Sequence, residues 1–240
     1  MASDLTDLHA HILPGLDDGP ATMAEALELV KQAERIGVGT IVASPHAFDG
    51  VHENTREKVL EATAALTSAM TDAGSRVRVL PGMELYLGPD LPEALRVGTA
   101  MGLNDSKNVL VELPGIAVQR YVDTLLFQLT LAGYIPVINH PERSPLVQRS
   151  LQVYENWVHI GCLGLVTAPS LLGLFGPSTQ RTAELLLRRG LAHGVASDVH
   201  RLSGTTGGPG ARGRSYSPEV VAALSRGQAT QREYLRSIAG

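Results

Sequence analysis

Side chains able to bind metal recur at one place in this chain: directly after short apolar, β-branched runs. Ile41-Val42-Ala43-Ser44-Pro45 leads to His46, Val77-Arg78-Val79-Leu80 leads through a turn to Glu84, and Val109-Leu110-Val111 leads to Glu112. Ile135-Pro136-Val137-Ile138-Asn139 then precedes His140, and Gly194-Val195-Ala196-Ser197 precedes Asp198 and His200. At the amino end His9 and His11 alternate within Asp7-Leu8-His9-Ala10-His11, so on an extended chain both point to the same side. Short runs of this kind, separated by helical stretches, predict parallel strands joined by helical crossovers. In a parallel barrel the carboxyl ends of all strands share one mouth, where ligands distant in sequence converge. A lone His or carboxylate is more often a capped turn or a satisfied core residue. A repeated placement is harder to explain by packing, because desolvating many such groups without a cation is costly for each of them.

Thr22-Met23-Ala24-Glu25 reads as a capping box, and Ala26, Leu27, Val30, Ala33 and Ile36 follow at helical spacing as far as Gly37. Further helices are expected from Asn54 to Ala73, Gln119 to Ala132, Leu146 to His159 and Thr179 to Arg189, each followed closely by a glycine. The alternation yields about seven βα units, one fewer than the regular barrel. The expected fold class is therefore α/β, an irregular (β/α)7 TIM-like barrel forming a single domain over residues 1–240. A length of 240 residues with 44% hydrophobic content suits one large core.

Cys162 is the one cysteine, so neither an internal disulfide nor a thiolate zinc cluster is available, and any metal must be held by nitrogen and oxygen. A net charge of −4 without a basic stripe argues against nucleic-acid binding. Asp4 and Asp7 stand where a signal peptide would begin, so a cytoplasmic location is expected. The stretch from Ile160 to Gln180 lacks charge but carries Gly161, Gly164, Pro169, Gly173, Gly176 and Pro177, which favours a strand and turn over a membrane span. Leu202 to Tyr216 is rich in glycine beside Arg201, Arg212 and Arg214. Within it Gly208-Pro209-Gly210-Ala211-Arg212-Gly213 formally matches a dinucleotide fingerprint, yet no strand leads into it and it reads as a solvated loop.

Taken with Leu13-Pro14-Gly15-Leu16-Asp17-Asp18-Gly19, Ser44-Pro45-His46, Pro81-Gly82-Met83-Glu84, Asn139-His140-Pro141-Glu142-Arg143 and Ala196-Ser197-Asp198-Val199-His200, the pattern closely resembles the polymerase-and-histidinol-phosphatase (PHP) superfamily. Within it, the chain is most similar to the bacterial manganese-dependent tyrosine-protein phosphatases of capsular and exopolysaccharide loci, from Asp7 to His200. The resemblance implies three divalent metal ions, manganese foremost, with iron, zinc or cobalt as alternatives. His9, His11, Glu84 and Asp198 would hold one, Glu84 would bridge to a second held also by Glu112 and His140, and Asp18, His46 and His200 would hold the third. Mixed imidazole and carboxylate ligands suit such metals, and a bridging carboxylate lets two cations sit about 3.5–4 Å apart.

The same resemblance implies hydrolysis of phosphotyrosine by a hydroxide that bridges two cations. Arg143 would meet the phosphoryl group and His200 could supply a proton. The implied partner is a tyrosine-phosphorylated protein, such as a bacterial tyrosine kinase of polysaccharide assembly. Ala47 stands where the family commonly has a second His, Asn139 where it often has Ala, and the loop after His200 is richer in glycine than usual. These departures bear on substrate contacts. Two other readings fit the same residues: a small-molecule phosphatase of the histidinol-phosphate type, and a metal-loaded interaction module without turnover. A guanidinium such as Arg143 can equally serve structure, in an ion pair with Glu142 or another carboxylate. Thiol-based tyrosine phosphatase chemistry is excluded, because the sixth residue after Cys162 is Ala168 where an Arg would be required. Oligomeric state is not legible in the sequence.

Overall fold

The computed structural model describes residues 5–115, 118–202 and 215–227. The strands in chain order are β1 (Leu5–Ala10), β2 (Val38–Ala43), β3 (His46–Ala47), β4 (Arg78–Pro81), β5 (Glu84–Tyr86), β6 (Asn108–Glu112), β7 (Ile135–Asn139), β8 (Leu163–Thr167) and β9 (Gly194–Ala196). Every ladder is parallel, as expected. In place of one continuous ladder, the strands form a three-stranded sheet ordered β1-β2-β4 and a six-stranded sheet ordered β3-β5-β6-β7-β8-β9. The division falls at prolines: Pro45 lies between β2 and β3, and Pro81 ends β4, with Gly82-Met83 between it and β5. A proline has no N–H to give to a ladder, so pairing lapses there. At the far edge the chain beyond β9 returns to β1. The Asp198 N–H donates to the His9 carbonyl (3.1 Å), and the His11 N–H donates to that of Val199 (2.8 Å).

An inner layer of apolar residues, Leu8, Val42, Leu110, Val137, Leu165 and Ala196, each from a different strand, is fully buried. Two residues further along a strand the side chain returns to the same face. That step carries Leu110 to Glu112, Val137 to Asn139 and Ala196 to Asp198. The apolar layer is thus the base on which the polar ligand layer stands.

Helices cover the outside: α1 (Met23–Arg35), α2 (Arg56–Asp72), α3 (Leu91–Val97), α4 (Gln119–Leu131), α5 (Pro145–Arg149), α6 (Leu151–His159), α7 (Ala168–Leu171) and α8 (Pro177–Arg188). The capping box at Thr22 and Glu25 forms as expected. The single helix expected from Leu146 to His159 is two, because Ser150 adopts extended backbone (φ −148°, ψ 103°) that ends α5 and starts α6. Serine competes for backbone hydrogen bonds in this way and favours caps over helix interiors. Residues 160–180 make β8 and α7, and among the described residues no helix is long and apolar enough to cross a membrane. A last helical stretch at 218–227, not anticipated from sequence, buries Val220, Ala223 and Leu224. Most of the glycine-rich loop, with its fingerprint match and Arg212 and Arg214, lies outside the described residues.

Candidate metal centre

All nine expected ligands converge on one place: His9 in β1 and Glu112 ending β6, His140, Asp198 and His200 just beyond β7 and β9, His11 and Asp18 in the loop after β1, and His46 and Glu84 opening β3 and β5. His9 Nε2 lies 3.3 Å from Asp198 Oδ1 and 3.6 Å from Glu84 Oε2, and His11 Nε2 lies 3.3 Å from the same Glu84 oxygen. The two imidazole nitrogens are 3.4 Å apart. His140 Nε2 sits 3.2 Å from Glu84 Oε1 and 3.7 Å from Glu112, so Glu84 stands between two groups of ligands. His46 faces both ways, with Nδ1 3.1 Å from Glu84 and Nε2 3.7 Å from Asp18, while His200 Nε2 approaches Asp18 at 3.1 Å. Three donor groups compact enough for an ion result: His11, Asp18, His46 and His200; His9, His11 and Glu84; His46, Glu84 and Glu112.

Burial makes this arrangement expensive unless something balances it. His9, His11 and His200 are fully buried and Glu84 is 1% exposed. Glu84 Oε2 has no hydrogen-bond donor, although nitrogens of His46, His11 and His9 surround it at 3.1–3.6 Å. Imidazole nitrogens and carboxylate oxygens converging at these distances are the donor set that a divalent cation takes, so these residues fit metal ions. Burial alone would raise the carboxyl pKa of Glu84, but His9, His11 and His140 outweigh it and hold it well below the usual range. Asp198 likewise resists burial, through His9, His200 and Arg143. Both stay anionic.

The backbone is bent to present these groups. His140 (φ 34°) and Asp198 (φ 55°) both adopt the left-handed region, which is unfavourable for residues other than glycine and concentrates at functional sites. Partners behind the ligands fix the rings. Ser44 Oγ meets His9 Nδ1 at 2.6 Å, Asp17 Oδ2 meets His11 Nδ1 at 2.6 Å, and the Asp198 carbonyl meets His200 Nδ1 at 2.9 Å. Asp17 also accepts from the backbone N–H groups of Gly19 and His46. A Cβ on Gly19 would stand 2.7 Å from the His11 carbonyl and 2.9 Å from Asp17 Oδ1, which explains glycine there. Asn139 Nδ2 lies 2.5 Å from Glu84 Oε1 and 3.0 Å from His9 Nε2. Asp7, fully buried, accepts from the Ser197 N–H and hydroxyl and from the Tyr216 hydroxyl (2.7 Å), tying the chain after the glycine-rich loop to the ligand strands.

Arg143 donates to Asp198 Oδ2 at 3.2 Å and lies over the Phe175 ring at 4.6 Å from its centroid. It does not pair with Glu142, which instead accepts from the N–H and hydroxyl of Thr167. Cys162 is buried in the core, and burial pushes its thiol up to about 12. It is inert at neutral pH.

The sequence matches the family model described as capsular polysaccharide synthesis, CpsB/CapC, over residues 5–206. The chain belongs to the CpsB/CapC family. It is 36% identical over 198 residues to the tyrosine-protein phosphatase YwqE of Bacillus subtilis, spanning 82% of this chain and 78% of that one. The fold superposes with a TM-score of 0.86 at 30% identity, over 98% of this chain and 94% of the other, on a structure from the work on YwqE and Streptococcus pneumoniae CpsB, described as metal-dependent tyrosine phosphatases. An organophosphorus hydrolase variant from Deinococcus radiodurans shares the fold alone, with a TM-score of 0.52 at 15% identity over 98% of this chain and 93% of that one. This member of the CpsB/CapC family therefore has a mixed α/β fold of parallel sheets, related to the phosphotriesterase type of TIM barrel.

Proposed function

We propose that the chain is a metal-dependent protein-tyrosine phosphatase of bacterial capsular or exopolysaccharide synthesis, acting on a phosphotyrosyl protein such as a tyrosine kinase of polysaccharide assembly. The observation that carries this reading is the donor-free Glu84 oxygen among three imidazoles, in a family whose relatives include metal-dependent tyrosine phosphatases. Three divalent cations, manganese foremost, would be held by His9, His11, Glu84 and Asp198; by Glu84, Glu112 and His140; and by Asp18, His46 and His200. We also read the two sheets as one seven-stranded barrel in which β2 with β3, and β4 with β5, are single strands broken at prolines.

Bound cations would bring the pKa of a shared water towards neutrality and offset phosphoryl charge. The protein supplies the rest. Arg143, 29% exposed beside the ligands, is placed to receive phosphoryl oxygens while Asp198 steadies its guanidinium. His200 has Nδ1 on the Asp198 carbonyl and turns Nε2 towards Asp18 Oδ1 at 3.1 Å, which favours a ligand's role over that of a proton donor. A tyrosyl leaving group has a pKa of about 10 and departs with little need of an acid.

Demetallation with a chelator should abolish hydrolysis of a phosphotyrosyl peptide, and added Mn²⁺ should restore it, with histidinol phosphate assayed alongside. Full activity in the demetallated protein would overturn the metal-dependent reading. Turnover of histidinol phosphate about tenfold faster, or 1.4 kcal/mol in transition-state preference, would move the assignment to small molecules.

A further inference from the structure

Beside the ligand cluster is a recess of about 180 Å³ lined by Glu112, His140 and Arg143 together with Tyr86, Pro114 and Pro145. Tyr86 is fixed there by its ladder partner Glu112, whose carbonyl accepts the Leu87 N–H at 2.9 Å. Ser144 also lines the recess; it is 8% exposed, and its hydroxyl has no hydrogen-bond partner among the described residues. A buried hydroxyl left unpaired is unfavourable and calls for a partner that enters from outside.

Pockets for drug-sized ligands run to about 300–1,000 Å³, so this recess suits one side chain and not an extended molecule. Its lining joins aromatic and apolar surface to charged groups. A phosphorylated side chain that fills it must offer an apolar body to the one and an anion to the other. Tyrosine does so, since its ring holds the phosphoryl group well away from the main chain. Serine would have to bring the peptide backbone itself down between the walls.

We propose that this recess seats the ring of the substrate phosphotyrosine, with Tyr86 and the two prolines against the ring and the Ser144 hydroxyl bonded to the ester oxygen. The inference rests on the phosphatase reading and makes Tyr86 and Ser144 determinants of specificity.

The test uses Mn²⁺-loaded protein and a peptide bearing non-hydrolysable phosphonomethylphenylalanine, with inorganic phosphate as the second probe. Tyr86→Ala should weaken peptide binding about tenfold, near the upper end of what one aromatic pair contributes, and leave phosphate affinity within about twofold. Ser144→Ala is read on a hydrolysable phosphotyrosyl peptide, because the phosphonate carries a CH2 in place of the ester oxygen: kcat/KM should fall about threefold or more, with phosphonate binding within about twofold. Tyr121→Ala, in a neighbouring recess that Tyr86 also lines, should change neither. If Tyr86→Ala does not fold, Tyr86→Leu carries the same expectation. Peptide affinity unchanged in the Tyr86 variant at full metal content would overturn the inference, and so would equal losses for peptide and phosphate. Wild-type protein that binds phosphate but hydrolyses no phosphoester would overturn the phosphatase reading itself, whatever the variants do.

Discussion

Three buried imidazoles of the centre are gripped from behind: His9 by Ser44, His11 by Asp17 and His200 by the Asp198 carbonyl. Such partners fix which nitrogen faces the metal, and their loss typically costs about 10–100-fold in metal affinity. Asp17 and Arg143 therefore separate two kinds of contribution. Asp17→Asn keeps the size of the side chain but weakens its hold on the His11 ring, so metal content should fall at limiting Mn²⁺, and turnover with it. Arg143→Ala should cut turnover by about 10²-fold, the scale of one lost transition-state donor, with metal content intact. Elemental analysis beside kinetics distinguishes them, and equal metal loss in both variants would refute the separation. In the sequence, Asp17 was part of a recognised motif without a role of its own. Its neighbour Asp18 has the same chemistry, and only the folded loop decides which carboxylate turns back to His11 and which faces His200.

Elements were legible where a local rule governs them. The capping box at Thr22, the glycines that end α2, α4 and α8, and the period of two that places Glu112 and Asp198 above apolar neighbours are all readable along the chain. The break at Ser150 and the helix at 218–227 were not anticipated, although each has a local cause: a serine that favours caps over helix interiors, and Ser217, whose hydroxyl accepts from the Val220 N–H ahead of Pro218. The left-handed turns at His140 and Asp198 carry no glycine to announce them. Packing between elements gives its own test at Gly164 on β8. A Cβ there would lie 1.8 Å from the hydroxyl oxygen of Tyr154 on α6, which donates to the Leu191 carbonyl at 3.1 Å. Gly164→Ala should destabilise by about 1–3 kcal/mol, as overpacking does. Tyr154→Phe alone leaves the Leu191 carbonyl unpaired at a cost of about 1 kcal/mol. In the double variant the collision with the hydroxyl is gone and a tight 3.1 Å approach to Cζ remains, so the combined loss in denaturant unfolding should fall short of the sum by about 0.5–3 kcal/mol. Strict additivity would show that the strand and helix do not meet as described.

At the scale of the whole molecule the ligands close a circuit that backbone pairing alone leaves thin. The two sheets are interrupted at Pro45 and Pro81-Gly82, and only a short parallel bridge, Ala10 with Val199, joins the β9 end to β1. Across those weak places run the contacts of the centre: His9 lies in β1 and His11 just beyond it, Glu84 begins β5 and Asp198 follows β9. Without a cation, buried carboxylates and imidazoles must be held together by their own protons, and in the unfolded chain the site does not exist. Metal binding energy therefore appears as folding stability. At a free Mn²⁺ concentration about 100 times the dissociation constant, one site adds about 2.7 kcal/mol. For a chain of this size each kcal/mol raises Tm by about 2–4 °C, so saturating Mn²⁺ should lift the melting temperature of demetallated protein by about 5–10 °C for one site. Asp17→Asn should shift the Mn²⁺ concentration needed for that rise upward without changing the melting temperature reached at saturation by more than its own apo offset. Calorimetry over a Mn²⁺ series would read both quantities. A melting temperature indifferent to Mn²⁺ over a hundredfold range, in protein shown to be metal-free at the start, would mean that the converging side chains are satisfied among themselves and that no cation belongs there.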